Sequence, residues 1–470
     1  MKAEDPLGGA CCMRLAVLGL TFLVWFTFAG ASLLAGSSTT LFNDAGQEVY
    51  GLRVVFDRPA TITEMGYAFG MWSVGENNQT IVFSEGTVNV WGDFWFFWEP
   101  SDAQMESLEW LTERPAIPFD KSPFPSWGFT VPEIWGAGYR HSQVFQSLDG
   151  LIATGANSVT LAPVVVMTSG SSSNVATASE RLDRQLDDMQ EVIKYLRSAS
   201  IEVSIKPKLL PRDGTWSAKI APEDPMAWFD AYEGFLIGYA GLAEATGVKA
   251  VYLTNEVKSM VVNPQYESRW REIIASIRDV FSGEISLNVI INNDQAEATT
   301  NENLSQTKAM RIPFADALDF IGVSVYTPLT DKLDPTVAEL RAAWYANREG
   351  FNLVEALREI HELYGKPVMI SEIAYRWVDG TNMAPGWDGI EGRVDEQEQQ
   401  DLFEAMLQVL SAEAGGWLRG VSVWGWFTYL YPESAYAGDF VRTCVQGKPA
   451  EGLLTEWFHR LGGEQPVTAD

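Results

Sequence analysis

Two short stretches of the chain end apolar runs on a carboxylate. In "AVYLTNEV" (250–257) the run Ala250–Leu253 gives way to Asn255 and Glu256. In "PVMISEIAYRW" (367–377) the apolar residues Val368–Ile370 are followed by Glu372. Apolar runs of this length read as buried strands. Paired acids at strand exits suit glycoside hydrolysis, in which one carboxylic acid protonates the leaving oxygen and a carboxylate works on the opposite face of the sugar. Retaining enzymes of this kind hold the two carboxyls roughly 5–5.5 Å apart. Either acid alone serves equally well as a helix cap or an ion-pair partner. The pair, with Asn255 directly before the first, is the specific signal.

From Trp127 onward the pattern alternates strand-like runs with amphipathic helices. The strand candidates are 127–131, 157–166, 201–206, 249–254, 285–291, 319–326, 366–372 and 419–426. Helical patterns lie between them, such as "SERLDRQLDDMQEVIKYLRSAS" and "NLVEALREIHELYG", and several end in Gly, as helix C-termini often do. Eight strand-then-helix units predict an α/β fold, a (β/α)8 TIM barrel over residues 127–462. A doubly wound open sheet is the alternative, but no Gly-rich phosphate loop follows the first strand. In the barrel, Glu256 closes the fourth strand and Glu372 the seventh. These strands lie across the mouth from each other, at the C-terminal face where such barrels do their chemistry.

The segment before the barrel reads differently. Residues 41–113 predict a small all-β, sandwich-like N-terminal domain of short strands divided by turns. Within it, "DAQMESLEWL" (102–111) has helical spacing. In "FWFFW" (94–98) alternate rings either fill the sandwich core or form a ligand platform. The proline-rich stretch 114–126 is a linker. At the N-terminus Arg14 precedes 21 uncharged residues, 15–35, with "AGAS" at 29–32 resembling a cleavage site. Residues 1–36 are therefore a signal peptide or a membrane anchor, the run being long enough to span a bilayer. The expectation is a secreted or cell-surface protein.

Composition narrows the partners. With 62 acidic and 33 basic residues the formal charge is −29, which excludes nucleic acid as a partner through phosphate repulsion. The acids are scattered, as on a solvated surface of a secreted or salt-adapted protein. The 18 Trp allow exposed rings that stack on sugars, or simply aromatic packing. Cys11 and Cys12 precede the apolar run and Cys444 stands alone, so no intrachain disulfide is expected in the mature chain. The three His are far apart in sequence and no metal-ligand motif occurs. No cofactor is required if the two carboxylates supply the chemistry, and a monomer is the expectation.

These stretches carry a resemblance. Asn255–Glu256 at strand four and Glu372 at strand seven look like clan A of the glycoside hydrolases. Residues 127 to about 460 look most like family 113, whose characterised members are mainly endo-β-mannanases. The supporting stretches are "TGANSVTLAPV", "IKPKLLPRDGTW", "LTNEV", "DFIGVSVYTPL", "GKPVMISEIAYRW" and "GVSVWGWF", with "QGKPAEGLL" near the end, all in the family's order.

The resemblance implies roles. Glu256 would be the general acid/base and Glu372 the nucleophile of a retaining, double-displacement β-glycosidase acting on a polysaccharide, β-mannan first. Asn255 would bond the sugar 2-OH, Tyr326 would hold Glu372 by its hydroxyl, and Trp424 or Trp426 would form a stacking floor. One of these two Trp must point into barrel packing. Two carboxylates so close cannot both ionise easily, so Glu256 stays protonated while Glu372 stays charged. The strand-three segment adds Lys206, Lys208, Arg212, Asp213 and Trp216 at the mouth as substrate-binding candidates, and Arg376 and Trp377 follow the nucleophile. The chain departs from the family pattern at Lys208, where relatives tend to carry His, and at "APVVVMTSGSSS", which is Ser-rich where they tend to carry Trp, Tyr and Gln. Two other readings fit the same barrel: a non-catalytic glycan-binding surface protein, and a transglycosylase.

Overall fold

The computed structural model describes residues 122–133, 138–140, 142–177, 182–291, 311–386, 393–428 and 442–463, and before residue 122 the backbone of short strands. Eight strands close into a barrel. In chain order they are β1 (Ser126–Pro132), β2 (Ser158–Ala162), β3 (Glu202–Ile205), β4 (Ala250–Asn255), β5 (Glu284–Ile291), β6 (Ile321–Val325), β7 (Val368–Ile373) and β8 (Leu418–Trp424). Every neighbouring pair is parallel, and β1 pairs with β8 through Ser126↔Gly420 to Thr130↔Trp424. That closing pair rules out the open doubly wound sheet. Gly128 is required where β1 meets β2, because a Cβ there would lie 1.8 Å from the Ser158 carbonyl oxygen.

The described α-helices of at least eight residues are α1 (Val144–Ala153), α2 (Leu182–Ser198), α3 (Pro225–Thr246), α4 (Glu267–Arg278), α5 (Val337–Tyr345), α6 (Leu353–Tyr364), α7 (Glu396–Glu413) and α8 (Pro449–Leu461). Their ends follow local chemistry. Asp224 caps α3 by accepting from the Met226 and Ala227 N–H groups, Pro225 opens its first turn, and Gly247 (φ +70°) ends it in the left-handed region. Asn352 and Gly365 (φ +60°) do the same for α6.

The tryptophans mostly serve this packing. Trp228, Trp270, Trp344, Trp426 and Trp457 are fully buried. Trp228 and Phe229 of α3 meet Trp270 of α4 at centroid distances of 6.4 and 5.1 Å, and Tyr232 stacks on Trp228 at 4.9 Å. A Trp-rich composition here says more about helix packing than about sugar.

Two expectations need correction. The run 157–166 is not one strand. Pro163 has no N–H to give the ladder, so β2 ends at Ala162 and a separate strand, Val164–Met167, begins. That strand pairs in parallel with Lys208–Pro211 and antiparallel with Val175–Thr177, forming a small three-stranded sheet that continues β2 and β3. Nor is 102–111 helical: Met105–Leu111 is a strand, paired antiparallel with Gly51–Phe56 from Met105↔Phe56 to Leu111↔Gly51. Sheet pairing overrides its helical spacing, and Leu108 and Trp110 alternate with Glu109 as a strand requires.

Contacts divide the chain into two compact units, Met1–Pro118 with Asp334–Leu340, and Phe119–Leu333 with Arg341–Asp470. Strands of the first unit form two four-stranded sheets. One runs, in spatial order, through Met105–Leu111, Gly51–Phe56, Thr80–Ser84 and Met71–Val74. The other runs through Cys12–Leu18, Thr21–Thr27, Phe94–Glu99 and Thr61–Gly66. The apolar N-terminal run thus contributes strand backbone, and among the described residues no helix is long and apolar enough to cross a membrane. The expected cleavage site at 29–32, the linker residues 114–121 and the ring contacts of 94–98 lie outside the described residues or side chains.

Candidate active site

Both carboxylates owe their position to irregularities in the barrel. Between β4 and β5, Tyr252 pairs with Ser286 and Asn255 with Asn288, so three steps on β4 face two on β5. Between β6 and β7, Val323 pairs with Ile370 but Ser324 with Glu372, which leaves Ser371 as the extra residue. Bulges of this kind bend a strand and re-aim its side chains. Glu256 then takes φ +60°, a left-handed conformation that costs a non-glycine residue of order 1–2 kcal/mol. Its N–H is held by the Asn288 carbonyl at 2.9 Å.

A buried polar network lies beneath the pair. Asn288 Nδ2 donates to Asn255 Oδ1 at 2.6 Å and to Ser324 Oγ at 2.7 Å, and Ser371 Oγ donates to Asn288 Oδ1 at 2.7 Å. All four side chains are inaccessible to solvent. Asn288 thereby links β4, β5, β6 and β7, the strands that carry the two acids and the strands between them. Asn255 Nδ2 and Glu256 Oε1 are buried with no hydrogen-bonding partner among the described residues. Unmatched buried polar atoms cost roughly 1–3 kcal/mol each and mark places where a ligand or water supplies the match.

Glu372 is held from two sides. The Lys206 ammonium donates to Oε2 at 3.0 Å and the Tyr326 hydroxyl to Oε1 at 2.9 Å. The carboxylate is 2% exposed and Lys206 is not exposed at all. Burial pushes the Glu372 carboxyl up, but the charges of Lys206 and Lys208 and the two hydrogen bonds outweigh it, so it lies below the ordinary 4.5. Glu256 goes the other way. Burial first, then the neighbouring Glu372 charge, push it up to about 6 against the partial pull of Lys208, Ser324 and Lys206. The surroundings thus push the two acids apart, Glu256 up to about 6 and Glu372 below 4.5, the kind of separation an acid/nucleophile pair requires.

Lys208 opens the strand above β3, half-buried, with Nζ 4.3 Å from the centroid of the Trp424 ring. Trp424 packs with Ala162, Ala374 and Tyr326, beside the residue that holds Glu372.

A family model described as Glycoside Hydrolase Family 113 matches residues 126–448. The chain belongs to that family. It is therefore a glycoside hydrolase by family, and its barrel is that of its solved relatives. The β-mannanase AaManA from Alicyclobacillus acidocaldarius, in complex with ManMIm, superposes with a TM-score of 0.57 at 24% identity, covering 73% of this chain and 100% of that one. A second structure, a complex of a family 113 β-1,4-mannanase, gives 0.55 at 24% identity over 71% of this chain and 98% of its own. A search of curated proteins found no match.

In this family 113 chain Asn255, Glu256, Tyr326, Glu372, Lys206, Lys208 and Trp424 come together, and five other candidates have different surroundings. Trp426 is 1% exposed, packs 5.0 Å from Phe129, and donates its indole N–H to the Ser147 carbonyl and hydroxyl oxygens. It is packing, which leaves Trp424 as the candidate of the two for stacking on a sugar. Asp213 staples its own turn, accepting from the Thr215 N–H and hydroxyl and from the Gly170 N–H. Trp216, 36% exposed, precedes the single turn Ser217–Lys219. Arg376 is buried, its N–H bonded to Thr381 Oγ1 and its guanidinium to the Ala384 carbonyl, so it shapes the loop after β7. Trp377 packs under the Lys448 ammonium at 5.0 Å. Lys206 faces the protein: its ammonium donates to Glu372 Oε2 and to the Ser371 carbonyl. Asn288, Ser324 and Ser371 were not anticipated. Their signal is a polar residue inside an apolar run, in "SLNVII", "GVSVY" and "VMISE".

Proposed function

We propose that this family 113 enzyme is a retaining β-glycosidase that cleaves β-mannan by double displacement, with Glu256 as acid/base and Glu372 as nucleophile. The observation that carries the reading is the opposite treatment of two buried acids: Glu372 is ion-paired and pushed below the ordinary 4.5, whereas Glu256, with no cation in hydrogen-bond contact among the described residues, is pushed up to about 6. In the first step a Glu372 oxygen bonds to the anomeric carbon as the glycosidic C–O bond breaks, and the Glu256 proton goes to the leaving oxygen. In the second, water attacks the same carbon, its proton goes to Glu256, and the ester electron pair returns to Glu372.

Asn255 Nδ2, buried and unmatched among the described residues, is available to a sugar hydroxyl, and Trp424 offers a ring face beside Tyr326. Mannan is the first substrate to test because the solved neighbours are named as mannanases. A polymer substrate also suits export, for which the uncharged run 15–35 argues; N-terminal sequencing of protein recovered from culture fluid tests that point. The reading is tested by incubating the full chain with β-mannan and assaying new reducing ends. Cleavage by the wild type that is lost in both E256Q and E372Q is expected. Full activity in E372Q would remove Glu372 as nucleophile.

A further inference from the structure

Lys206 is the one candidate that the structure moves from the substrate to the machinery beneath it. It follows β3, is wholly buried, and donates to Glu372 Oε2 at 3.0 Å and to the Ser371 carbonyl at 2.6 Å. The ionisable groups around it are Glu372 from β7, Glu256 after β4, Lys208 two residues along its own segment, and Tyr326 after β6 through its bond to Glu372. The Trp424 ring of β8 lies 6.0 Å from Nζ. Burial pulls the Lys206 ammonium below its ordinary pKa, and the charges of Glu372 and, less, Glu256 oppose that pull.

A buried ammonium is retained only where a negative charge stays beside it. The double displacement moves that charge. When Glu372 becomes an ester its charge is gone, and Glu256, having given its proton to the leaving oxygen, becomes the carboxylate. We propose that Lys206 is a shared counter-charge, paired with Glu372 in the resting enzyme and compensating Glu256 in the glycosyl-enzyme, so that the buried trio stays neutral through both half-reactions. This rests on the nucleophile and acid/base assignments above. Lys206 is a positioning residue: it touches no reacting atom of the sugar, but it makes the ionised form of Glu256 accessible just when a base is needed to take the proton of water. Lys208 also acts on both acids, and on Glu256 more than Lys206 does, but it is half-buried and lies over Trp424, whereas Lys206 is wholly buried and bonded to Glu372.

E372Q reproduces the charge state of the glycosyl-enzyme without a substrate. The experiment is a 13C NMR titration of the full chain labelled at the glutamate side-chain carboxyl, in E372Q, K206M/E372Q and K206R/E372Q. The Glu256 resonance is assigned by its loss in E256Q/E372Q. In E372Q the Glu256 pKa is expected to fall below the wild-type value of about 6, because the Glu372 charge that helps raise it is gone. In K206M/E372Q its pKa is expected to rise from the E372Q value, because a cation that lowers it is gone. K206R/E372Q is expected to restore the lower value. The double variants remove both partners of the ion pair, which buried sites tolerate better than the loss of one, and K206Q/E372Q provides a second test should K206M/E372Q not fold. A purely structural role for Lys206 would move the melting temperature and leave the Glu256 titration unchanged. The same Glu256 pKa with and without Lys206 overturns the proposal. Wild-type hydrolysis by E372Q overturns instead the assignment on which it rests, whatever the titrations show.

Discussion

Replacing Glu256 with Gln should make the protein more stable at neutral pH while it abolishes turnover. Burial and the Glu372 charge raise the Glu256 pKa from 4.5 to about 6. Between these values the unfolded chain gives up the proton and the folded chain keeps it. Folded protein binds more protons there, so wild-type stability falls as pH rises from 4.5 to about 6 and levels off above. A shift of this size corresponds to about 2 kcal/mol, at 1.36 kcal/mol per unit. Gln carries no charge to desolvate, so E256Q escapes that loss. With an unfolding entropy of about 2.1 cal/mol/K per residue, 2 kcal/mol in a unit of the barrel's size is about 3 °C in Tm. The assay is thermal unfolding of both proteins from pH 4 to pH 8. The Tm difference should be near zero at pH 4, grow through pH 5–6, and hold at about 3 °C above pH 7 in favour of the variant. A difference independent of pH, or one that favours the wild type at pH 7, would refute the claim that the surroundings of Glu256 raise its pKa.

The other substitutions should behave differently. K206M strands the Glu372 charge in the barrel and should cost about 3–5 kcal/mol at pH 7; because Glu372 sits below 4.5, that loss should shrink in acid as the carboxylate is protonated, a trend that chemical unfolding at several pH values checks. W426A should lower stability by about 3–5 kcal/mol through a core cavity and leave KM near wild type, whereas W424A should raise KM with a smaller change in Tm, as steady-state kinetics on β-mannan beside calorimetry would show. N288A leaves Asn255 and Ser324 without their donor, a loss of about 1–3 kcal/mol, and kcat/KM should fall roughly tenfold; kinetics unchanged from the wild type would detach the Asn288 network from the site.

Much of the barrel could be read from the chain because its strands are apolar runs buried on both faces, punctuated by capped helices. All eight strand candidates correspond to barrel strands, and Gly247 and Gly365 end helices as their type implies. The acids showed themselves by being charged at the ends of apolar runs. The bulges that aim them left no mark, since a bulge is a relation between two strands and both partners keep ordinary residue types. For the same reason Lys206 read as a rim residue: nothing local says that its ammonium meets a carboxylate 166 positions away. Trp424 and Trp426 share parity and composition, and only the contact of Trp426 with Phe129 and Ser147 separates them. The strand Met105–Leu111 was hidden by spacing that suits a helix, because its partner Gly51–Phe56 is distant in sequence.

The central claim is a double displacement through Glu372, and its stereochemistry is the most direct test. We would follow the first minutes of β-mannan cleavage by the wild-type chain with proton NMR, before the new reducing ends mutarotate. The account predicts the β-anomer first, with α appearing only at the rate of mutarotation. The α-anomer first would mean single displacement by water and would contradict the nucleophilic role of Glu372.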